Sequence, residues 1–144
     1  MEIHRVMGFF SSLFRRKIKK HPQRDDVVGI RDSDEEFKAA RERAMATLRG
    51  FVEAVQRPEE GKRYLLKVEL AEGNEVEHVW LEPVKWLNPG LAGVLAVEPL
   101  SIKKHKRGDV IAPRPSEISD WVIIAPDGSK IGGFTMDAMD GRRK

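Results

Sequence analysis

The chain has no cysteine, which excludes disulfide bonds, zinc sites built from thiolates and catalysis by a thiol. Its apolar runs are too short for a membrane-spanning helix, which needs roughly 18 to 20 residues. Only four histidines occur, and His4, His21, His78 and His105 do not show the close spacing of metal ligands. We therefore expect no metal site and no cofactor.

The composition is that of a folded protein. Hydrophobic residues make up 40% and charged residues 34% of the 144 residues, a balance that fits one globular domain with solvated ends. The net charge of +3 is unevenly distributed, because residues 1–24 contain seven arginines and lysines but only one acid, Glu2. The rest of the chain is mildly acidic, which argues against a specific nucleic-acid-binding fold.

The basic N-terminus has an amphipathic pattern. Its apolar residues recur every three or four positions, which predicts a helix over residues 1–21. The residues predicted to contact a membrane or a partner are Phe10, Leu13, Phe14, Arg15, Arg16 and Lys17.

Three roles are open for this helix. It can lie on an anionic membrane surface through residues 1–20, bind a partner protein, or pack its apolar side on the body of the protein. A secretory signal is disfavoured because the apolar stretch from Phe9 to Phe14 is short and the basic cluster follows it. We therefore expect a cytoplasmic protein, peripheral to the inner membrane face if the first role is correct.

The body begins after a polar linker predicted over residues 22–32. Ser33 and Glu36 form a capping-box pattern, and an apolar stripe then predicts one long helix from about residue 34 to Arg57, ahead of Pro58. The opposite side of this helix, rich in arginine and lysine, is predicted to be a solvated surface.

The period then changes from helical to alternating. Residues 64–70 and 76–84 predict a hairpin, and residues 91–97, 110–112, 121–125 and 130–134 predict further strands. Residues 118–120 are predicted to be a turn, Asp127-Gly128 a tight hairpin turn and Gly132-Gly133 a bulge or a close backbone approach. The predicted fold class is α+β, with one long helix on a curved antiparallel sheet and a basic tail at residues 137–144.

Five short blocks carry a family resemblance. They are Glu77 to Leu81, Gly93 to Pro99, Gly108 to Val110, Ile118 to Trp121 and Gly132 to Thr135. In this order and spacing they resemble the YegJ-like domain of unknown function (DUF 2314), over about residues 34–136. The resemblance implies a small bacterial domain, with a YegJ-like α+β body at residues 33–136, and no established chemistry.

The candidate site residues lie in the strands. His78, Trp80, Asp120 and Trp121 could line a shallow groove for a peptide or a small ligand, since aromatic residues with a polar handle suit such surfaces. Alternatively, Trp80 and Trp121 belong to the core, and Ser119 and Asp120 satisfy local backbone groups.

Two functions from different classes remain. The first is a non-catalytic interaction or regulatory module with a protein partner, held near its site of action by the N-terminal helix. The second is a small hydrolase or ligand-modifying enzyme that uses His78 and Asp120. We favour the first, because loose polar triplets of this kind occur by chance in many small domains.

Overall fold

The computed structural model describes the backbone of residues 25–143 and the side chains of residues 35–138. The predicted amphipathic helix at residues 1–21 lies outside the described residues. Within them, three α-helices and a six-stranded sheet form an α+β fold, as predicted. None of the described helices combines the length and apolarity required to cross a bilayer.

The predicted single long helix is two helices, α1 (Asp25–Ala46) and α2 (Leu48–Gln56). Helix α1 starts at Asp25, so Ser33 is inside the helix, and most of the predicted linker at residues 22–32 is helical. The capping-box pattern at Ser33 was therefore a wrong signal for the helix start.

The division between α1 and α2 is at Thr47. Its hydroxyl donates to the main-chain carbonyls of Arg43 at 2.8 Å and Ala44 at 3.2 Å. A threonine that bonds back to the preceding turn competes with the regular helix ladder and often bends a helix. The apolar stripe continues through this break, which is why its period predicted one helix.

The strands are β1 (Arg63–Glu72), β2 (Glu75–Trp86), β3 (Leu91–Leu95), β4 (Val110–Ile111), β5 (Ile118–Ile124) and β6 (Lys130–Gly132). They form one sheet in the order β4-β3-β2-β1-β5-β6, with every pair antiparallel. The two predicted hairpins are confirmed: β1 and β2 join at Gly73-Asn74, and β5 and β6 join at Asp127-Gly128. Residues 118–120, predicted as a turn, instead begin β5, because the chain pairs with β1 from Ile118 onward.

The two sides of the sheet differ in what covers them. On the first side, here called the helix face, Leu66 of β1 lies opposite Leu81 of β2 and Trp121 of β5, and α1 and α2 pack there through Ala44 and Phe51. This cluster is the main core of the domain, and several of its members are fully buried.

The second side, here called the far face, has a smaller apolar cluster. Leu65, Trp80 and Val122 form it, with Met136 of the last helix packed against it. That helix, α3 (Phe134–Arg143), follows β6 and includes most of the residues predicted as a basic C-terminal tail.

The predicted close approach at the glycine pair is confirmed at Gly132. A side chain there would meet the main-chain oxygen of Trp121 at 2.5 Å, and the φ of Gly132 is +86°. Glycine is therefore required where the chain turns from β6 into α3.

Candidate functional site

The sheet register separates the four residues of the predicted groove. Trp80 and Asp120 both lie opposite Lys67 of β1, and His78, two residues from Trp80, lies on the same far face. Trp121 lies opposite Leu66 on the helix face. One groove therefore cannot include all four side chains, and the prediction was wrong for Trp121.

Trp121 belongs to the core. Its ring stacks on Phe51 with centroids 5.3 Å apart and meets the edge of Phe134 at 5.9 Å. Its indole N–H donates to the carbonyl oxygen of Ala44 at 3.1 Å. The interpretation of Trp121 as a core residue, which the alternation of β5 allowed, is the correct one.

Asp120 holds the start of α3. Its Oδ2 accepts hydrogen bonds from the backbone N–H of Thr135 at 2.8 Å and from the Thr135 hydroxyl at 2.5 Å. Its Oδ1 accepts from the N–H groups of Trp121 and Phe134, at 2.8 and 3.2 Å. A carboxylate at a helix N-terminus satisfies donors that have no partner inside the helix. Asp120, which is fully buried, thus acts as a cap supplied by a neighbouring strand.

Lys67 extends this polar cluster. Its Nζ donates to the Thr135 hydroxyl at 3.2 Å and lies 5.9 Å from the centre of the Trp80 ring. The side chain is buried, and the Thr135 hydroxyl that accepts from it in turn donates to Asp120. Sequence analysis missed Lys67 and Thr135, although an alternating strand with one lysine between apolar residues was a usable signal.

His78 belongs to a second group of neighbouring polar side chains, with Ser119 and Glu69. The register between β1 and β5 shifts after Lys67, and Ser119 is the extra residue at this bulge. The Ser119 hydroxyl oxygen lies 3.5 Å from Nδ1 of His78, and Nε2 of His78 lies 3.8 Å from the Glu69 carboxylate. His78 and Glu69 are partly exposed, whereas Ser119 is buried. The prediction paired His78 with Asp120, but Asp120 already accepts four hydrogen bonds.

A buried ion pair lies on β1 and β2. Arg63 donates from Nε to Oε2 of Glu82 at 3.1 Å, and the Glu82 side chain is only 5% exposed. Burial raises the pKa of Glu82, and the charge and hydrogen bond of Arg63 oppose that rise only in part. Oε1 of Glu82 accepts no hydrogen bond within the described part of the chain.

The longest irregular segment joins β3 to β4. Its ends meet, because Leu95 accepts from the N–H of Gly108 at 2.9 Å and donates to the carbonyl of Asp109 at 2.8 Å. Residues 96–107 between these bonds form a closed loop of the Ω type, a class that is often functional. We call this segment the Ω-loop.

Acidic side chains bind the backbone of the Ω-loop. Glu77 accepts from three consecutive N–H groups, Leu100 at 2.6 Å, Ser101 at 2.8 Å and Ile102 at 3.1 Å. Glu72 accepts from the next two, Lys103 at 2.6 Å and Lys104 at 3.2 Å. Glu77 and Glu72 flank the β1–β2 turn, so that hairpin fixes the loop.

The second half of the Ω-loop is held in the same way. Asp109 accepts from the N–H of Lys106 at 3.0 Å and Glu98 accepts from the N–H of Arg107 at 3.2 Å. The pKa of Glu72 is lowered, mainly by the N–H of Lys103 and further by the N–H and the charge of Lys104. The carboxylates of Glu72, Glu98 and Asp109 thus accept hydrogen bonds from the backbone of the Ω-loop. The side chains of Lys103, Lys104, Lys106 and Arg107 are exposed, and no ion pair between described residues involves them.

Across the residues with described side chains, no three histidine or carboxylate groups are arranged to hold a metal ion.

Arg41, predicted to be on a solvated surface, donates to the main-chain oxygens of Ile118 at 3.3 Å and Ser116 at 2.9 Å. The polar side of α1 therefore contributes to tertiary structure.

Comparison with known proteins identifies the family. The family model of uncharacterised proteins conserved in bacteria, DUF2314, matches residues 34–143. The chain belongs to this family. The match includes α3, so the family domain continues beyond the boundary at residue 136 that the sequence predicted.

Two bacterial relatives are similar to part of the chain. A predicted ankyrin repeat protein of Neisseria meningitidis serogroup B is 31% identical over 71 residues, which cover 49% of this chain and 28% of the relative. The uncharacterised protein YegJ of Escherichia coli K12 is 27% identical over 90 residues, which cover 62% of this chain and 57% of YegJ. The chain thus spans less than two thirds of either relative. No solved structure matches it.

Proposed function

We propose that this DUF2314 domain is a non-catalytic interaction module. The observation that carries the proposal is the use of its buried carboxylates: Asp120 and Glu77 accept hydrogen bonds from backbone N–H groups of α3 and of the Ω-loop. The oxygens of these carboxylates are occupied by backbone donors, so they are not placed to take a proton from a substrate. The cations of the Ω-loop, by contrast, face solvent and can contact a partner.

The likeness to the Neisseria protein supports the same proposal. The name of that relative describes ankyrin repeats, and ankyrin arrays present extended binding surfaces. A domain found within such a chain suits a module that adds one contact to a larger assembly. We therefore propose that the present chain also binds a protein partner.

We also propose where in the cell the protein works. If residues 1–20 form the amphipathic helix that their pattern predicts, its apolar side would enter the boundary of an anionic membrane, with Arg15, Arg16 and Lys17 near the head groups. Each cation near such a surface contributes about 1 kcal/mol, so several together give reversible attachment. The protein would then work in the cytoplasm, at the inner membrane face.

Sedimentation with vesicles tests this assignment. The full-length chain is compared with a variant carrying Arg15→Gln, Arg16→Gln and Lys17→Gln, and with a control carrying Lys38→Gln, Arg49→Gln and Lys85→Gln on exposed positions of the body. We expect the wild type and the control to pellet with phosphatidylserine vesicles, and the N-terminal variant to bind less. Equal binding of all three proteins would overturn the membrane assignment.

A second candidate function is hydrolysis. It is favoured by one observation, that the side chains of Ser119, His78 and Glu69 are neighbours in that order. A hydroxyl, an imidazole and a carboxylate in sequence are the groups of a nucleophile, its base and the group that orients the base. Their separations of 3.5 and 3.8 Å exceed those of a formed hydrogen-bond relay. Hydrolysis of an activated ester that is abolished by both Ser119→Ala and His78→Gln would favour this candidate over the first.

A further inference from the structure

We infer that the Ω-loop is a second membrane contact, which binds anionic lipid head groups through Lys103, Lys104, Lys106 and Arg107. This inference rests on the proposed function and adds to it a surface on the folded body. It depends on three features of the described residues: the exposure of the cations, the fixed backbone beneath them and the apolar side chains beside them.

The cations are available for an external anion. All four side chains are exposed, and the carboxylates of Glu72, Glu98 and Asp109 accept hydrogen bonds from the loop backbone. Carboxylates bound to N–H groups sit against the loop backbone. The four basic side chains are therefore exposed to solvent, and residues 96–107 contain only one acid, Glu98.

The backbone of the loop is already ordered. Seven of its N–H groups between Leu100 and Arg107 are bound by carboxylates, and its two ends are joined at Leu95. A surface that is ordered before it binds loses less conformational entropy on binding. This favours contact with a ligand by rigid docking rather than by folding of the loop.

Apolar side chains decide between a membrane and other anionic partners. Leu100 is 42% exposed and Val110 is 67% exposed, and in the sequence they flank the run of cations on either side. A membrane interface accepts both cations and aliphatic side chains, whereas a nucleic acid would favour aromatic residues for stacking. Phenylalanine, tyrosine and tryptophan do not occur between Trp86 and Trp121, and His105 is the one aromatic side chain in that interval. An acidic protein remains an alternative that the experiment separates.

The test uses full-length proteins and vesicles with and without phosphatidylserine. The loop variant carries Lys103→Gln, Lys104→Gln, Lys106→Gln and Arg107→Gln, which keep every backbone N–H bond of the loop. The matched control carries four equal changes at exposed body positions, Lys38, Arg49, Arg57 and Lys85. A third variant carries Leu100→Gln and Val110→Thr. Circular dichroism and thermal melting establish that each variant is folded.

We expect the loop variant to bind phosphatidylserine vesicles at least tenfold more weakly than wild type, since each lost cation weakens binding by roughly fivefold. The apolar variant should bind several-fold more weakly, and the control within about twofold of wild type. Unchanged vesicle binding by the loop variant would overturn the inference. Binding of the same proteins to poly-glutamate, a probe for an acidic protein, is measured in parallel. The inference would also be overturned if the loop variant bound vesicles normally and lost binding only to poly-glutamate.

Comparison of the N-terminal variant with the loop variant separates the loop inference from the proposed function. If the variant at Arg15, Arg16 and Lys17 loses binding while the loop variant binds normally, the N-terminal anchor is correct and the loop inference is wrong. If wild type does not bind anionic vesicles at all, both are wrong. If both variants lose binding and the control does not, both contacts are established.

Discussion

The indole N–H of Trp121 donates to the main-chain carbonyl of Ala44 at 3.1 Å and also lies 3.2 Å from the hydroxyl of Thr47. Thr47 is the residue at which α1 ends and α2 begins. One sheet residue thus binds the helix break itself, and the stacking of Phe51 on the same ring brings α2 onto the sheet. Trp121 therefore joins both helices to the sheet through one side chain.

Trp121→Ala should reduce the free energy of unfolding by roughly 3 to 5 kcal/mol, as large-to-small changes in a core do. Trp121→Phe, which keeps an aromatic ring but loses the N–H, should cost less, about 1 to 3 kcal/mol. Denaturation in urea measures both values. A midpoint for Trp121→Ala equal to that of the wild type would contradict the role of Trp121 in the core.

Gly108 has a φ of +97° at the point where the Ω-loop enters β4. Gly108→Ala should lower stability by about 1 to 2 kcal/mol, because residues with a Cβ are strained at positive φ. Gly50 provides a matched control. It lies in α2, where an added methyl group would meet no atom within 4 Å, so Gly50→Ala should raise stability by about 0.5 to 1 kcal/mol. Thermal melting of the two variants should give shifts of opposite sign, and a stabilised Gly108→Ala protein would show that this strain is absent.

Glu82→Gln should change how stability depends on pH. Burial raises the pKa of Glu82 above its usual value of 4.5, so the folded protein holds this proton more tightly than the unfolded chain. Stability contributed by this group is present at low pH and is lost as the pH rises from 4.5 through the raised pKa. Relative to wild type, Glu82→Gln should therefore become more stable as pH increases over that window. Urea denaturation from about pH 4 to about pH 8 checks this, and a difference that is constant with pH would contradict it.

Glu72→Gln should show the opposite trend. The N–H of Lys103, together with the N–H and the charge of Lys104, lowers the pKa of Glu72 below its usual value of 4.5. Stability from this group is present above pH 4.5 and is lost as the pH falls through the lowered pKa. The variant should be less stable than wild type at neutral pH, with the difference shrinking in acid. Hydrogen exchange of the Lys103 and Lys104 amides should also be faster in the variant. Unchanged exchange would mean that Glu72 does not hold the Ω-loop.

The sequence patterns predicted local structure well where one period dominated. The β1–β2 hairpin followed from two alternating runs around Gly73, and the alternation correctly placed Glu77 and His78 on opposite faces. The break at Thr47 was missed because the apolar stripe does not change there, and only a side-chain bond to Arg43 interrupts the helix. Local pattern does not record such bonds.

The site was harder to predict, because it depends on pairing between distant strands. Alternation within β5 puts Asp120 and Trp121 on opposite faces, which already argued against a shared groove. That Asp120 binds the start of α3, or that Glu77 binds Leu100, depends on contacts between residues far apart in the chain. The basic run from Lys103 to Arg107 was visible in the sequence, but its fixed backbone was not.

Hydrogen exchange of the full-length protein, with and without phosphatidylserine vesicles, tests the account most directly. If the domain is a non-catalytic module that works at an anionic surface, vesicles should slow exchange in residues 1–20 and in the Ω-loop, and leave His78 and Asp120 unchanged. The protection should weaken as salt rises, since screening shortens electrostatic attraction to about 8 to 10 Å at physiological ionic strength. Vesicles that protect neither segment, or that protect only strands β1 and β5, would contradict the account.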